Sequence, residues 1–193
     1  MTKNPEDTPD TPTYTEIEFE AGKPVAVDGK KMKLSEIVIA LNKISGDNGF
    51  GRLDLVEDRL VGLKSRECYE VPGALTLITA HKALEDICVE GDLLKTKIKL
   101  EQDWATAVYN GQWYSPLKNA LDAFMADTQK FVTGTVRLKF FKGNCHVVGR
   151  KSPFSLYDYG LATYDRDTTF DEKASVGFIE IDTLSLKTWA KVQ

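Results

Sequence analysis

From Gly134 to Phe141 the chain reads Gly-Thr-Val-Arg-Leu-Lys-Phe-Phe, with apolar Val136, Leu138 and Phe140 at every second position. Only an extended strand gathers such a set on one face. The run ends in Lys142-Gly143-Asn144, a hairpin-turn sequence, and Cys145-His146-Val147-Val148-Gly149 supplies the partner strand. This segment commits the chain to antiparallel sheet near its C-terminal end.

The remaining elements must share a domain with that hairpin. Tyr14–Phe19 alternates apolar and polar residues, and Pro24–Val27 is a second short strand across Ala21-Gly22. Asp28-Gly29 signals a turn. Ser35 is placed to cap a helix carrying Ile37, Val38, Leu41 and Ile44, with Gly46 and Gly49 ending it. Arg52 to Val61 returns to a strand pattern, followed by a polar loop from Gly62 to Pro72. Three helices are expected next: one over 73–88 after Pro72, one over 91–109, and one opened by Ser115-Pro116. Phe170 to Glu180 reads as a helix. Strands, then helices, then a hairpin predict an α+β fold, with a mixed or antiparallel sheet, packed helices and a C-terminal β-hairpin.

Both ends differ from the middle. Residues 1–13, rich in Pro, Asp and Thr, read as a flexible linker. The expected domain is 14–182. Residues 183–193 form a C-terminal helix or arm whose Leu184, Leu186 and Trp189 need a partner surface, which points to a role in oligomerisation.

Composition narrows the function classes. The chain has 193 residues, 42% hydrophobic and 28% charged, with a formal net charge of −4. That supports a packed core and gives no basic footprint for nucleic acid. No apolar run is long enough to span a bilayer, and the first residues lack the apolar region of a secretory signal. Cys68, Cys88 and Cys145 contain no Cys-x-x-Cys pair, and His81 and His146 are the two histidines, so no metal site is expected. The cysteines read as small core residues or bystanders and His81 as a helix contact. A reduced, cytoplasmic protein is the plain expectation.

The segment Gly51–Glu70 holds the chemistry. Arg52, Asp54, Glu57, Asp58, Arg59, Lys64, Arg66, Glu67 and Glu70 are interleaved there with apolar residues. One reading is a solvated, salt-bridged loop. The other is a polar ligand site at a strand end, since closely set charges of both signs persist where they pair or bind something.

Gly51 through Pro72 resembles the signature of the argininosuccinate synthases: Gly-Arg-x-Asp-x-Val-Glu-x-Arg, then Gly-x-Lys-Ser-Arg-x-x-Tyr-Glu-x-Pro. The likeness extends to Leu77–His81 with Glu85-Asp86, to Trp104–Leu117, to Val132–Lys139 and to Gly149–Asp158. Several ordered motifs at matching spacing form a specific signal.

The resemblance implies an enzyme that joins citrulline to aspartate with ATP, in the presence of Mg, giving argininosuccinate, AMP and pyrophosphate. Two of the family's citrulline contacts fall on Glu57 and Tyr69. Arg59, Ser65 and Arg66 would shape the loop around them, and no catalytic residue is assigned to this chain. The family's tetramer makes a homo-oligomer the expected assembly. The family's phosphate loop, with its Ser-Gly-Gly, has no counterpart here. Ser45-Gly46-Asp47-Asn48-Gly49 follows a helix where a phosphate loop would open one. ATP and aspartate contacts are therefore expected in an N-terminal half absent from this chain, either joined to it in a longer protein or encoded apart, and the 193 residues alone are expected to be inactive. Two further readings stay open: a citrulline-binding module without catalysis, and an oligomerisation domain.

Overall fold

The computed structural model describes residues 1–163, 169 and 171–193. Met1–Leu156 and Tyr157–Gln193 are two separate compact units. The observed division therefore falls earlier than the expected one between residues 182 and 183.

The first unit is built on a five-stranded sheet in the order β3-β2-β1-β6-β7. Its strands are β1 (Thr13–Glu20), β2 (Lys23–Val27), β3 (Lys30–Lys31), β6 (Gly134–Phe141) and β7 (Asn144–Lys151). Every pairing is antiparallel, so the sheet is antiparallel and not mixed. β6 and β7 are joined by Lys142-Gly143, both at positive φ, 48° and 80°. That is the turn hand that matches strand twist, and glycine takes the second position without strain.

Alternation becomes burial at the centre of the sheet. In β1, Thr15, Ile17 and Phe19 are buried, and in β6 Val136, Leu138 and Phe140 are. Register sets Ile17 opposite Val136 and Thr15 opposite Leu138. The other face is polar: Glu16 opposes Arg137. Two helices cover the apolar face. Helix α1 (Leu34–Asp47) buries Ile37, Leu41 and Ser45, four residues apart along one side. Helix α2 (Pro72–Cys88) buries Thr76, Ala80, Ala83 and Leu84. Full burial of a side chain such as Leu41 or Leu84 stabilises the unit by about 1.5–3 kcal/mol.

Helix termini refine the sequence expectation. The cap of α1 is Lys33 rather than Ser35. The Glu36 carboxylate reaches back to accept from the Lys33 N–H at 2.8 Å, so the chain turns helical at Leu34. Helix α3 (Gly91–Tyr109) starts where the Glu90 carboxylate accepts from the Asp92 and Leu93 N–H groups. Helix α4 (Pro116–Thr128) starts where Ser115 accepts from the Lys118 N–H. The Trp104 indole N–H donates to Asp122 at 2.8 Å and ties α3 to α4.

Two expectations need correction. Residues 1–13 do not hang free as a linker. Pro5–Asp7 forms a 3₁₀ turn, the Lys3 N–H donates to the Gly46 carbonyl at 2.9 Å, Lys142 donates to the Thr8 carbonyl at 2.9 Å, and Thr8 is buried. Backbone and side-chain groups from distant parts of the chain satisfy a segment that carries little apolar surface of its own. The second correction is the polar loop after Gly62. Lys64–Glu70 is a strand, β5, paired antiparallel with β4 (Arg52–Asp58). Its alternation escapes an apolar/polar reading because Lys64, Ser65, Arg66 and Glu67 make both faces polar.

In the second unit α5 (Tyr159–Ala162), α6 (Ala174–Asp182) and α7 (Leu184–Lys191) are helical. The helix expected from Phe170 to Glu180 matches α6 only from Ala174. Its first residue, Phe170, lies outside the described residues. Phe178, Ile181, Leu186 and Trp189 are exposed.

Candidate functional site

Within the first unit, the hairpin β4–β5 forms its own two-stranded sheet above a closed base. The Val71 N–H donates to the Gly51 carbonyl at 2.8 Å. Gly51 has φ 117°, and a Cβ there would sit 2.2 Å from Pro72 Cα. Only glycine fits that junction. Arg52 binds the Thr2 carbonyl at 2.8 Å and Asn4 Oδ1 at 3.1 Å. The tip is exposed, including Leu60, Val61 and Leu63.

Register divides the charged segment into two faces. Leu53 pairs with Tyr69, Leu55 with Glu67 and Glu57 with Ser65. These six side chains share one face, and the interposed residues share the other. The second face is a ladder of ion pairs. Arg66 makes a two-pronged contact with Asp54 at 2.8 and 2.6 Å, and Lys64 pairs with Asp58 at 2.7 Å. Arg66 donating to the Asp54 carboxylate holds Asp54 below the usual carboxylate range and pushes the guanidinium above its ordinary value.

The first face carries a different arrangement. Tyr69 donates its phenolic O–H to Glu57 Oε1 at 2.9 Å. The two residues are offset by four positions along the ladder, or ~13 Å of strand, so their side chains lean toward each other across the Leu55–Glu67 pair. That hydrogen bond raises the Tyr69 pKa above its ordinary value of 10.0; loss of solvent and the negative charges of Glu57 and Glu67 act in the same direction. Arg59, beyond the end of β4, turns back onto this face. Its Nε donates to Ser65 Oγ at 3.2 Å, and its Nη2 donates to Glu67 Oε1 at 2.9 Å.

Four of the five sequence-predicted residues, Glu57, Tyr69, Arg59 and Ser65, therefore lie together, with Arg66 on the reverse face. Glu67 was missed. Its period-2 spacing from Ser65 and Tyr69 would have placed it on the same face once β5 was read as a strand.

Chemically, the first face offers a carboxylate acceptor beside a neutral phenol, open to solvent, on a pair of antiparallel strands. An ammonium ion fits the carboxylate. The residues of Ser45–Gly49 do not fit a nucleotide phosphate. At Ser45–Gly49 the Asn48 N–H is bonded to the Ser45 carbonyl and the Gly49 N–H to the Gly46 carbonyl. The segment also closes the C-terminal end of α1, where the helix dipole repels an anion. Among the described residues, no three His, Cys, Asp or Glu side chains converge on a metal position.

A cleft of about 840 Å³ elsewhere in the first unit holds the other charged cluster. Lys97 Nζ contacts Glu85 Oε1 at 2.9 Å, and both side chains are 5% exposed or less. Lys97 also pairs with Glu101. Gln129 Nε2 donates to Glu85 at 2.6 Å and accepts through Oε1 from His81 Nε2 at 2.8 Å. Burial pushes the Lys97 ammonium down, but hydrogen bonds to Glu101 and Glu85 more than offset it, and its pKa ends above the ordinary value. No buried side-chain nitrogen or oxygen among the described residues lacks a partner.

Comparison with known proteins identifies the family. Residues 1–189 match the family model of the arginosuccinate synthase C-terminal domain. The argininosuccinate synthase of Bacillus licheniformis is 53% identical over 193 residues, 100% of this chain and 48% of the relative. Those of Rubrobacter xylanophilus and Bacillus subtilis are 50% and 54% identical, covering 100% and 94% of this chain but 47% and 45% of their own lengths. The chain thus spans about half the length of the curated relatives it matches, and on the strength of the family match it belongs to the argininosuccinate synthase family, as its C-terminal domain.

Proposed function

We propose that the Glu57–Tyr69 face takes the amino-acid end of citrulline, and that these 193 residues supply that portion of an argininosuccinate synthase. The observation that carries this reading is the 2.9 Å contact between the Tyr69 hydroxyl and the Glu57 carboxylate on a solvent-open face. The carboxylate would accept the citrulline ammonium, and the phenol would donate to a second polar atom of the ligand. The ureido group would then be left free to attack the α-phosphate of ATP. Aspartate's amine would displace AMP from the resulting adenylate. Most of the work in such a reaction is placing three small molecules together, and a paired hairpin is suited to fixing one of them.

On this reading ATP, its Mg²⁺ and aspartate are held by the ATP-binding part of the family, joined to this domain or supplied as a separate chain. The reaction is cytoplasmic. No helix among the described residues is long and apolar enough to cross a membrane. Calorimetric titration with L-citrulline tests the binding role. Uptake of heat or its release by the wild type, weakened about tenfold or more by Glu57→Gln and by Tyr69→Phe, supports it; binding indifferent to both substitutions overturns it. The 193-residue chain alone is expected to release no pyrophosphate from ATP, citrulline and aspartate.

A second reading rests on the exposed Phe178, Ile181, Leu186 and Trp189 of the C-terminal helices. They favour a homo-oligomer, a tetramer by family, with contacts from this arm and from the helices around 91–131. Light scattering giving a clean monomer at high concentration would count against it.

A further inference from the structure

We infer that Glu67 is a positioning residue: by holding the Arg59 guanidinium it keeps the Glu57 carboxylate open to Tyr69 and to an incoming ammonium. The inference rests on the proposed role of Glu57 and Tyr69 and extends it to a residue outside that pair.

The argument begins with the contents of one face. Glu57, Glu67, Ser65 and Tyr69 lie on it with Leu53 and Leu55. Arg59 follows Glu57 by two residues, which in an extended chain returns a side chain to the same side. An arginine this close to a carboxylate on its own strand would pair with it by default, and a paired Glu57 could not receive a ligand's ammonium without first displacing a guanidinium. The structure shows the other outcome. Arg59 is turned across the hairpin, with Nη2 on Glu67 Oε1 at 2.9 Å and Nε on Ser65 Oγ at 3.2 Å. Two donors of the fork are thereby committed to the β5 strand. Glu57 keeps the phenol of Tyr69, a neutral donor that a charged ligand can displace at small cost. Glu67 is the anchor in this arrangement, because Ser65 offers a single neutral oxygen and Glu67 a charge.

The arrangement predicts a coupling between Glu67 and Arg59 that is read at a third residue, Tyr69. The charged groups facing the Tyr69 phenol are Glu57 and Glu67 on its own hairpin, with the Tyr109 phenol from α3. Replacing Tyr69 alone with 3-fluorotyrosine gives a ¹⁹F signal whose titration reports the phenol. Fluorination also lowers the pH at which the phenol ionises. Four 193-residue chains are compared: the parent, Arg59→Ala, Glu67→Gln and the double variant. With Glu67 present, Arg59→Ala moves the titration little. Glu67→Gln frees Arg59 to reach Glu57, and the phenol then ionises at lower pH, near the value of a Glu57→Gln control. Removing Arg59 from that background returns the phenol most of the way to the parent.

The inference is overturned if Glu67→Gln and the double variant titrate together, since Glu67 would then act on the phenol only through its own charge. It is also overturned if Glu67→Gln leaves the titration unchanged. The same four chains titrated with L-citrulline are expected to show about tenfold weaker binding for Glu67→Gln and recovery in the double variant. A chain that binds no citrulline while keeping the ¹⁹F pattern retains the Glu67–Arg59 device and contradicts only the citrulline reading.

Discussion

The first unit contains two acid–base networks, and they differ in what they can exchange. Glu85, Lys97, Gln129 and His81 are joined between helices α2, α3 and α4, with the Glu85–Lys97 pair almost wholly withdrawn from solvent. Glu57, Tyr69, Arg59 and Glu67 are joined on a projecting hairpin in contact with water. The same residue types carry opposite roles. In the buried cluster every partner is fixed, and losing one strands a charge at low dielectric. On the hairpin, water can replace any partner, so each contact is individually weak and exchangeable. The buried network is a structural lock; the exposed one has the lability that ligand binding requires.

The contrast is sharpest at Lys97. Lys97→Ala leaves Glu85 buried beside Gln129 without its cation, and urea unfolding should show a loss of about 3–5 kcal/mol. The paired replacement Glu85→Leu/Lys97→Met should recover much of this, because it removes both charges together. If Lys97→Ala were as mild as a hairpin substitution, the distinction between the two networks would collapse.

An intermediate effect is expected at the hairpin base. Gly51→Ala must accommodate φ 117° and a Cβ 2.2 Å from Pro72 Cα. It should cost more than about 1 kcal/mol, and hydrogen exchange should quicken in β4 and β5 while the central strands β1 and β6 stay protected. Equal loosening of both regions would mean that the hairpin is not a separate module of the unit.

The smallest effect is expected on the reverse face of the hairpin. The Arg66 hydrogen bonds lower the Asp54 pKa. Whatever stability this gives is present above the ordinary aspartate pKa of about 4 and is lost as pH falls through the lower folded value. Because both side chains are exposed and water screens the pair, that stability is small, and Asp54→Asn should leave the thermal midpoint at neutral pH within the scatter of repeated scans. It should also remove any dependence contributed by this pair between pH 4 and more acidic conditions. A large change at pH 7 would show that the pair is less solvated than its exposure implies.

The local elements were mostly legible because their signals are local. Val136, Leu138 and Phe140 alternate, and they became one buried face. Pro72, Ser115 and Pro116 opened α2 and α4 where helix-start chemistry places them. β5 was read as a loop since alternation is detected through hydrophobicity, and a strand solvated on both sides has little to show. The early residues misled for a related reason: Pro-rich sequence reveals what a segment lacks, while its anchors, Gly46 and Lys142, lie far along the chain.

Glu57 and Tyr69 are twelve residues apart, and the sequence by itself determined that both are present, together with the fold class and the family resemblance. It could not determine that they touch. That followed from the β4–β5 register, which is set by pairing across the turn, and from two side chains leaning along the strands over Leu55 and Glu67. Which acid Arg59 would choose was equally undecided, with Glu57 and Glu67 both near in sequence. Tertiary structure made the choice because a cross-strand neighbour on a pleated sheet faces the guanidinium directly, and sequence distance carries no record of that direction.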